Sequence, residues 1–123
     1  MQRHPRKPDK KHMAFVAARP CLICRTNVDV VVHHIKMPDS RTGKPISGGT
    51  AGRSDDRYTL PLCATHHEML HRLGESMFWK NMHADACLLA LVLYAHSVND
   101  EPEEADRLIE QASYEIQRQR FGT

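Results

Sequence analysis

Two short pairs of metal-binding residues constrain this chain more than any other feature. Cys21 and Cys24 are separated by two residues, and the same spacing separates Cys63 from His66. Such C-x2-C and C-x2-H pairs are the two halves of a tetrahedral structural zinc site. In a small domain with a thin core, metal binding free energy becomes folding free energy. The spacing therefore predicts a structural Zn2+ held by Cys21, Cys24, Cys63 and His66.

The composition is that of one small domain, with appendages, that needs such support. The chain has 123 residues, of which 41% are hydrophobic and 26% are charged. It begins without a secretory signal, so we expect a cytoplasmic protein whose four cysteines serve metal binding and not disulfides. The longest apolar run, residues 86–95, is too short to cross a bilayer, and no membrane partner is expected.

The chain divides into three predicted parts. Residues 1–12 carry five Lys or Arg and two prolines, which predicts a disordered basic arm, either inert or in contact with phosphates. Residues 13–80 contain the two metal-binding pairs and predict a small α+β zinc domain. Residues 81–123 predict helices that pack on this domain.

Hydrophobic periodicity and turn residues set the predicted elements. These are helices at 13–18, 64–73 (ended by Gly74), 75–82 (or a turn) and 84–98, strands at 28–35 and 58–62, and a last helix with Asp100 as its N-cap. The long loop at residues 36–56 is rich in glycine, proline and basic residues. It is either a basic flap over a nucleic-acid backbone or a variable insertion.

Four histidines remain once the zinc pairs are assigned. His67 and His71 lie four apart, so a helix places both on one face, where they can share a metal ion. His33 and His34 end a β-branched run, and side chains alternate along a strand, so the two face opposite sides. His67 leaves the helix about 100° from His66. A second metal site next to the zinc site is therefore geometrically reasonable.

The combined motifs resemble the HNH, or ββα-metal, endonucleases of the branch built on a treble-clef zinc knuckle. The likeness rests on Cys21-x2-Cys24, Val32-His33-His34-Ile35, Leu62-Cys63-x2-His66-His67 and Leu70-His71. Residues 60–67 are also similar to phage and bacterial proteins related to the RecA-dependent recombination-enhancing nuclease. The resemblance covers roughly residues 13–80 and does not extend to the C-terminal helices.

The resemblance implies a nuclease that hydrolyses DNA phosphodiester bonds. His34 would be the general base, and His33, His67 and His71 would hold one divalent cation. That cation would be Mg2+, Mn2+, Ni2+ or Zn2+, and three imidazoles suit a transition ion better than Mg2+.

One residue departs from the pattern of that family. The middle Asn of the family motif aligns near Tyr58 here, so Asp56 or a backbone carbonyl would have to fix the tautomer of His34. Glu68 or Glu75 could join the cation, with a solvated surface position as the alternative for each.

Cationic side chains near the motifs are expected to contact phosphates. They are Arg41, Lys44, Arg53, Arg57 and Arg72. The expected partner is DNA, and a recombinase or another protein partner is left open. The apolar stripe of the last helix is expected to pack on the domain or to form a weak dimer, so the chain is expected to be a monomer or weak dimer.

Two other functions fit parts of the sequence. A zinc-knuckle DNA-binding or adaptor module needs only the Cys and His pairs and leaves four histidines unexplained. The segment His67-Glu68-x2-His71 also matches the zincin metalloprotease motif. Zincins carry it in a longer catalytic domain with a further ligand downstream, whereas here a strand, a knuckle and paired histidines surround it.

Overall fold

The fold is a ββα unit preceded by one helix and followed by three further helices. The computed structural model describes residues 9–44 and 55–121. Its elements are α1 (Lys10–Ala17), β1 (Val30–His34), β2 (Thr59–Cys63), α2 (Ala64–Leu73), α3 (Glu75–Met82), α4 (Ala86–Val98) and α5 (Pro102–Phe121). The predicted α+β class with C-terminal helices is confirmed.

The two strands and α2 form the unit that carries the histidines. β1 and β2 pair antiparallel, with Val30 opposite Cys63 and His33 opposite Leu60. β2 continues directly into α2, which ends at Gly74 as predicted. Gly74 has a φ of 90°, a backbone region that favours glycine.

One apolar core joins this unit to the C-terminal helices. Leu60 and Leu62 of β2, Phe78 of α3, and Ile109 and Ile116 of α5 are each 2% exposed or less. Burying side chains of this size stabilises a fold by about 1.5–3 kcal/mol each. The C-terminal helices therefore pack on the same core as the strands, while the domain boundary at residue 80 stays a prediction.

The first and last helices begin at residues other than those predicted. Residues 10–12 form the first turn of α1, because the Asp9 carboxylate accepts a hydrogen bond from the backbone N–H of His12 at 3.0 Å. Residues 1–8 of the predicted arm lie outside the described residues. α5 begins at Pro102 and not after an Asp100 cap: Asp100 has a left-handed φ of 55°, and proline suits the first helical position.

The helices also bear on membrane association. Within residues 9–44 and 55–121, none combines the length and apolar character needed to cross a bilayer.

Candidate metal centres

The two Cys and His pairs converge on one point. Cys24 Sγ lies 3.9 Å from Cys63 Sγ, and His66 Nδ1 lies 3.2 Å from Cys63 Sγ and 3.9 Å from Cys21 Sγ. Two ligands of a tetrahedral zinc ion are about 3.6–3.8 Å apart. The ligand atoms of Cys21, Cys24, Cys63 and His66 all lie within 4.8 Å of one another, so this Cys3His cluster is close enough to hold a metal ion.

Burial affects how readily the ligands of the cluster can bind a metal. All four cysteines of the chain are free thiols. Burial raises the pKa of the Cys21 thiol to about 11, so a bound cation has to displace a proton there. Burial, followed by the charge of Arg120, lowers the pKa of His66, which leaves the ring neutral and able to donate a lone pair.

Helix α5 holds the turn between Cys21 and Cys24, which we call the knuckle. The Ser113 hydroxyl and the Gln117 side-chain amide both donate to the carbonyl oxygen of Ile23, at 2.8 and 2.9 Å. Ile23 stands between Cys21 and Cys24, so the position of this turn depends on a helix about 90 residues further along the chain. No sequence motif indicates this contact.

Three of the remaining histidines meet where β1 ends against α2. His67 and His71 have their Nε2 atoms 3.2 Å apart, and the centroid of the His33 ring lies 5.2 Å from that of His67 and 6.4 Å from that of His71. Two imidazole nitrogens that share a metal ion are about 3.0–3.4 Å apart. We call His33, His67 and His71 the histidine cluster.

The histidine cluster is less compact than the Cys3His cluster. Within the described part of the chain, the Cys3His cluster is the one group whose ligand atoms all lie within 4.8 Å. His33 Nε2 instead contacts Glu75 Oε2 at 2.6 Å. Burial, followed by the neighbouring rings of His33 and His71, lowers the pKa of His67, so this ring is neutral at pH 7. The donor set of three imidazoles suits a transition-metal cation.

The structure places Glu75 inside the site and not on the solvated surface. Its carboxylate accepts hydrogen bonds from His33, from the backbone N–H of Lys36 and from the indole N–H of Trp79. Burial alone would raise the pKa of Glu75, but these hydrogen bonds outweigh it and lower the pKa, so the carboxylate is ionised. Glu68, in contrast, is exposed on α2.

His34 faces away from His33 and pairs with Asp56. His34 Nε2 lies 2.8 Å from Asp56 Oδ1, and the backbone N–H of Asp9 donates to Asp56 Oδ2 at 2.7 Å. A carboxylate only accepts, so Nε2 of His34 carries the proton and Nδ1 keeps the lone pair when the ring is neutral. Asp56, one of the two candidates from the sequence, is therefore the partner of His34. The hydrogen bond from the backbone of Asp9 to Asp56 was not predicted.

Of the predicted phosphate contacts, Lys44 is buried, and its contact with phosphate stays a prediction. Lys44 is 4% exposed, and its Nζ donates to the carbonyl oxygen of Met37 at 2.7 Å. Its backbone forms an isolated bridge with Asp39. Arg41 is exposed but binds the carboxylates of both Asp39 and Asp85. Its charge is balanced within the protein.

The other predicted phosphate contacts are Arg72, Arg57 and Arg53. Arg72 is exposed on α2, one residue after His71. Arg57 is half-exposed and forms an ion pair with Asp55 at 2.7 Å. Arg53 lies outside the described residues.

Comparison with known proteins assigns the chain to a family. A family model described as a protein of unknown function, DUF968, matches residues 2–99, most of the chain. The chain belongs to the DUF968 family. The searches of curated proteins and of solved structures find no match.

The DUF968 match contains both clusters and their hydrogen-bond partners. It spans the Cys3His cluster, the histidine cluster, His34, Asp56 and Glu75, and it ends one residue after α4. Helix α5, which holds the knuckle through Ser113 and Gln117, lies beyond it. The DUF968 segment thus contains all the residues of the Cys3His cluster and the histidine cluster. Helix α5 stabilises the knuckle from outside this segment.

Proposed function

We propose that this protein is a metal-dependent HNH-type endonuclease that hydrolyses phosphodiester bonds in DNA. In this proposal the Cys3His cluster binds a structural Zn2+. The histidine cluster binds one catalytic divalent cation, Mn2+, Ni2+, Zn2+ or Mg2+, and His34 is the general base. The observation that carries the proposal is a set of three histidine rings, with one Nε2 pair at 3.2 Å, beside an already complete Cys3His cluster.

A structural role of the Cys3His cluster alone does not explain the histidine cluster. A Cys3His site is closed with four ligands, so it needs no further histidine. Three more imidazoles gathered at one place repel one another when protonated and stabilise the fold little when neutral. A histidine–carboxylate pair, His34 with Asp56, ends the same strand. Grouped imidazoles next to a positioned base are typical of a catalytic site.

Each step of the proposed hydrolysis can be assigned to a residue or to the cation. Nδ1 of His34 takes a proton from a water molecule, and the water oxygen attacks phosphorus as the bond to the departing ester oxygen breaks. Asp56 holds the ring and stabilises the imidazolium that forms. When bound, the divalent cation offsets negative charge on the scissile phosphate and the leaving oxygen. Arg72 and Arg57 are the proposed contacts to the flanking phosphates.

The proposal is tested by nicking of supercoiled plasmid DNA. The purified chain should nick the plasmid with at least one of Mn2+, Ni2+, Zn2+ or Mg2+, and His34→Ala should abolish nicking while Zn2+ stays bound. The matched control is His83→Asn, because His83 is exposed, lies outside both clusters and has a left-handed φ of 54° that asparagine tolerates.

Two results would contradict the proposal. Nicking by His34→Ala at the rate of the unchanged protein would remove His34 as the base. Lack of cleavage of single- and double-stranded DNA with all four cations, together with retained DNA binding, would favour a non-catalytic zinc-knuckle adaptor. Glu68→Gln separates the metalloprotease alternative: a nuclease keeps its activity in this variant, whereas a zincin loses its general base.

A further inference from the structure

Glu75 is the centre of the hydrogen bonds around the histidine cluster. It is the first residue of α3, and its side chain is 12% exposed. Its three donors come from the end of β1 (His33), from the segment after β1 (the backbone of Lys36) and from one turn further along α3 (Trp79). A surface glutamate has no such set of partners, which points to a local role.

The bond to His33 determines which nitrogen of that ring can bind a cation. At 2.6 Å it is a short, charge-assisted hydrogen bond to a group that only accepts. Nε2 of His33 therefore carries a proton, and the lone pair of the neutral ring is on Nδ1. His67 and His71 differ, because their Nε2 atoms already lie 3.2 Å apart.

Glu75 is poorly placed to bind the cation itself. Oε2 accepts from both His33 and Trp79, and Oε1 accepts from Lys36. Coordination through Oε2 would take the acceptor away from the indole N–H of Trp79, which is buried at 3% exposure. A buried donor without a partner is costly. The carboxylate is better suited to act through His33.

We propose that Glu75 is a positioning residue that holds His33 in the Nε2-protonated tautomer, so that Nδ1 of His33 completes the cation site of His67 and His71. This inference rests on the proposed nuclease site. A metal-binding histidine commonly donates its second N–H to a carboxylate, and loss of that partner lowers metal affinity about 10- to 100-fold. The bonds from Lys36 and Trp79 keep the carboxylate from rotating away.

The test measures Mn2+ binding by electron paramagnetic resonance. The full chain is first loaded with one equivalent of Zn2+, which the thiolates of the Cys3His cluster prefer, so that Mn2+ reports on the histidine cluster. Glu75→Gln should weaken Mn2+ binding about 10- to 100-fold with Zn2+ content unchanged. Glu68→Gln, an exposed carboxylate on α2, is the matched control and should bind Mn2+ like the unchanged protein.

A second variant keeps the test valid if Glu75→Gln does not fold. Trp79→Phe removes one donor to the carboxylate but keeps an aromatic ring in the core. It should weaken Mn2+ binding less than the loss of the carboxylate does. If Glu75→Gln does not fold, equal Mn2+ affinity in Trp79→Phe and the unchanged protein would overturn the proposal.

Nitrogen-15 NMR of the histidine rings without Mn2+ distinguishes positioning from direct binding. His33 should be the Nε2-protonated tautomer in the unchanged protein and a mixture of tautomers in Glu75→Gln. Weakened Mn2+ binding with an unchanged His33 tautomer would overturn the proposal, because Glu75 would then be a ligand itself.

These results are separable from the fate of the nuclease proposal. A chain that binds Mn2+ but does not cleave DNA overturns the nuclease and leaves the role of Glu75 in place. A chain that cleaves DNA while Glu75→Gln keeps both Mn2+ affinity and tautomer overturns the role of Glu75 alone. Failure of the unchanged protein to bind Mn2+ overturns the inference about Glu75.

Discussion

At the scale of single residues, the proposed chemistry depends on two histidine–carboxylate pairs at the end of one strand. His33 bonds to Glu75 at 2.6 Å, and the next residue, His34, bonds to Asp56 at 2.8 Å. The two pairs lie on opposite faces because side chains alternate along a strand. Each carboxylate accepts from Nε2 of its histidine and so favours the Nε2-protonated tautomer. The two adjacent histidines can therefore have different roles, one at the cation and one as the base.

The role of Asp56 leads to a prediction about turnover. Asp56→Asn should lower kcat for plasmid nicking on the order of 100-fold with little change in KM, because an amide cannot balance the charge of an imidazolium. The amide also has one acceptor oxygen, whereas the Asp56 carboxylate accepts through Oδ1 from His34 and through Oδ2 from the backbone N–H of Asp9. The measurement is the nicking rate as a function of DNA concentration.

A suitable control for this prediction is Asp100→Asn. Asp100 is an exposed carboxylate before α5, and its left-handed φ of 55° suits asparagine. We expect Asp100→Asn to nick DNA like the unchanged protein. An Asp56→Asn variant with unchanged kcat would show that Asp56 does not support the base.

At the scale of elements, helix α5 supports a turn that it does not belong to. Ser113 is 2% exposed, and its hydroxyl shares the carbonyl oxygen of Ile23 with the amide of Gln117. The Arg19 guanidinium also bonds to Asp106 of α5 at 2.7 Å, near the start of the same knuckle. The helix thus ties the first half of the Cys3His cluster to the rest of the core.

Removing both donors should loosen the knuckle. The double change Ser113→Ala with Gln117→Ala should lower the free energy of unfolding by about 1–3 kcal/mol, because the buried carbonyl of Ile23 loses both hydrogen bonds. It should also speed the transfer of Zn2+ to a chromogenic chelator. Urea unfolding measures the free energy, and the absorbance of the chelator over time measures the rate of Zn2+ transfer. Gln119→Ala, exposed on the same helix, should change neither, and equal values for all three proteins would contradict the role of α5.

At the scale of the whole molecule, the Cys3His cluster ties segments that are far apart in the chain. It joins the turn before β1, the end of β2 and the first turn of α2. The apolar core continues from these segments into α5, with Ile109 and Ile116 buried. A metal ion bound by the Cys3His cluster would therefore stabilise the same fold as the apolar core, and its loss should destabilise the whole domain.

Removal of the structural metal should lower thermal stability sharply. We expect chelated, metal-free protein to melt at least about 10 °C below the metal-bound protein, since a few kcal/mol shifts Tm by that much in a chain of this size. Circular dichroism melting with and without chelator measures this difference. His67→Ala, which removes only the histidine cluster, should melt within a few degrees of the unchanged protein, and equal Tm values with and without metal would contradict the structural role.

Local sequence determined much of this protein. The two-residue spacings of Cys21 with Cys24 and of Cys63 with His66 predict the two halves of the Cys3His cluster, because each half is set by a few backbone bonds. Gly74 predicts the end of α2, and the i, i+4 spacing places His67 and His71 together, because both follow from the geometry of one helix.

Only the tertiary structure decided the partners of these residues. Glu75 reaches His33, Asp56 reaches His34, and Ser113 reaches Ile23, across 42, 22 and 90 residues of chain. The burial of Lys44, which is 4% exposed, is likewise not visible in its sequence position. Spacing along the chain fixes which groups lie on one helix or turn. Which carboxylate meets which histidine depends on how the core packs distant segments against each other.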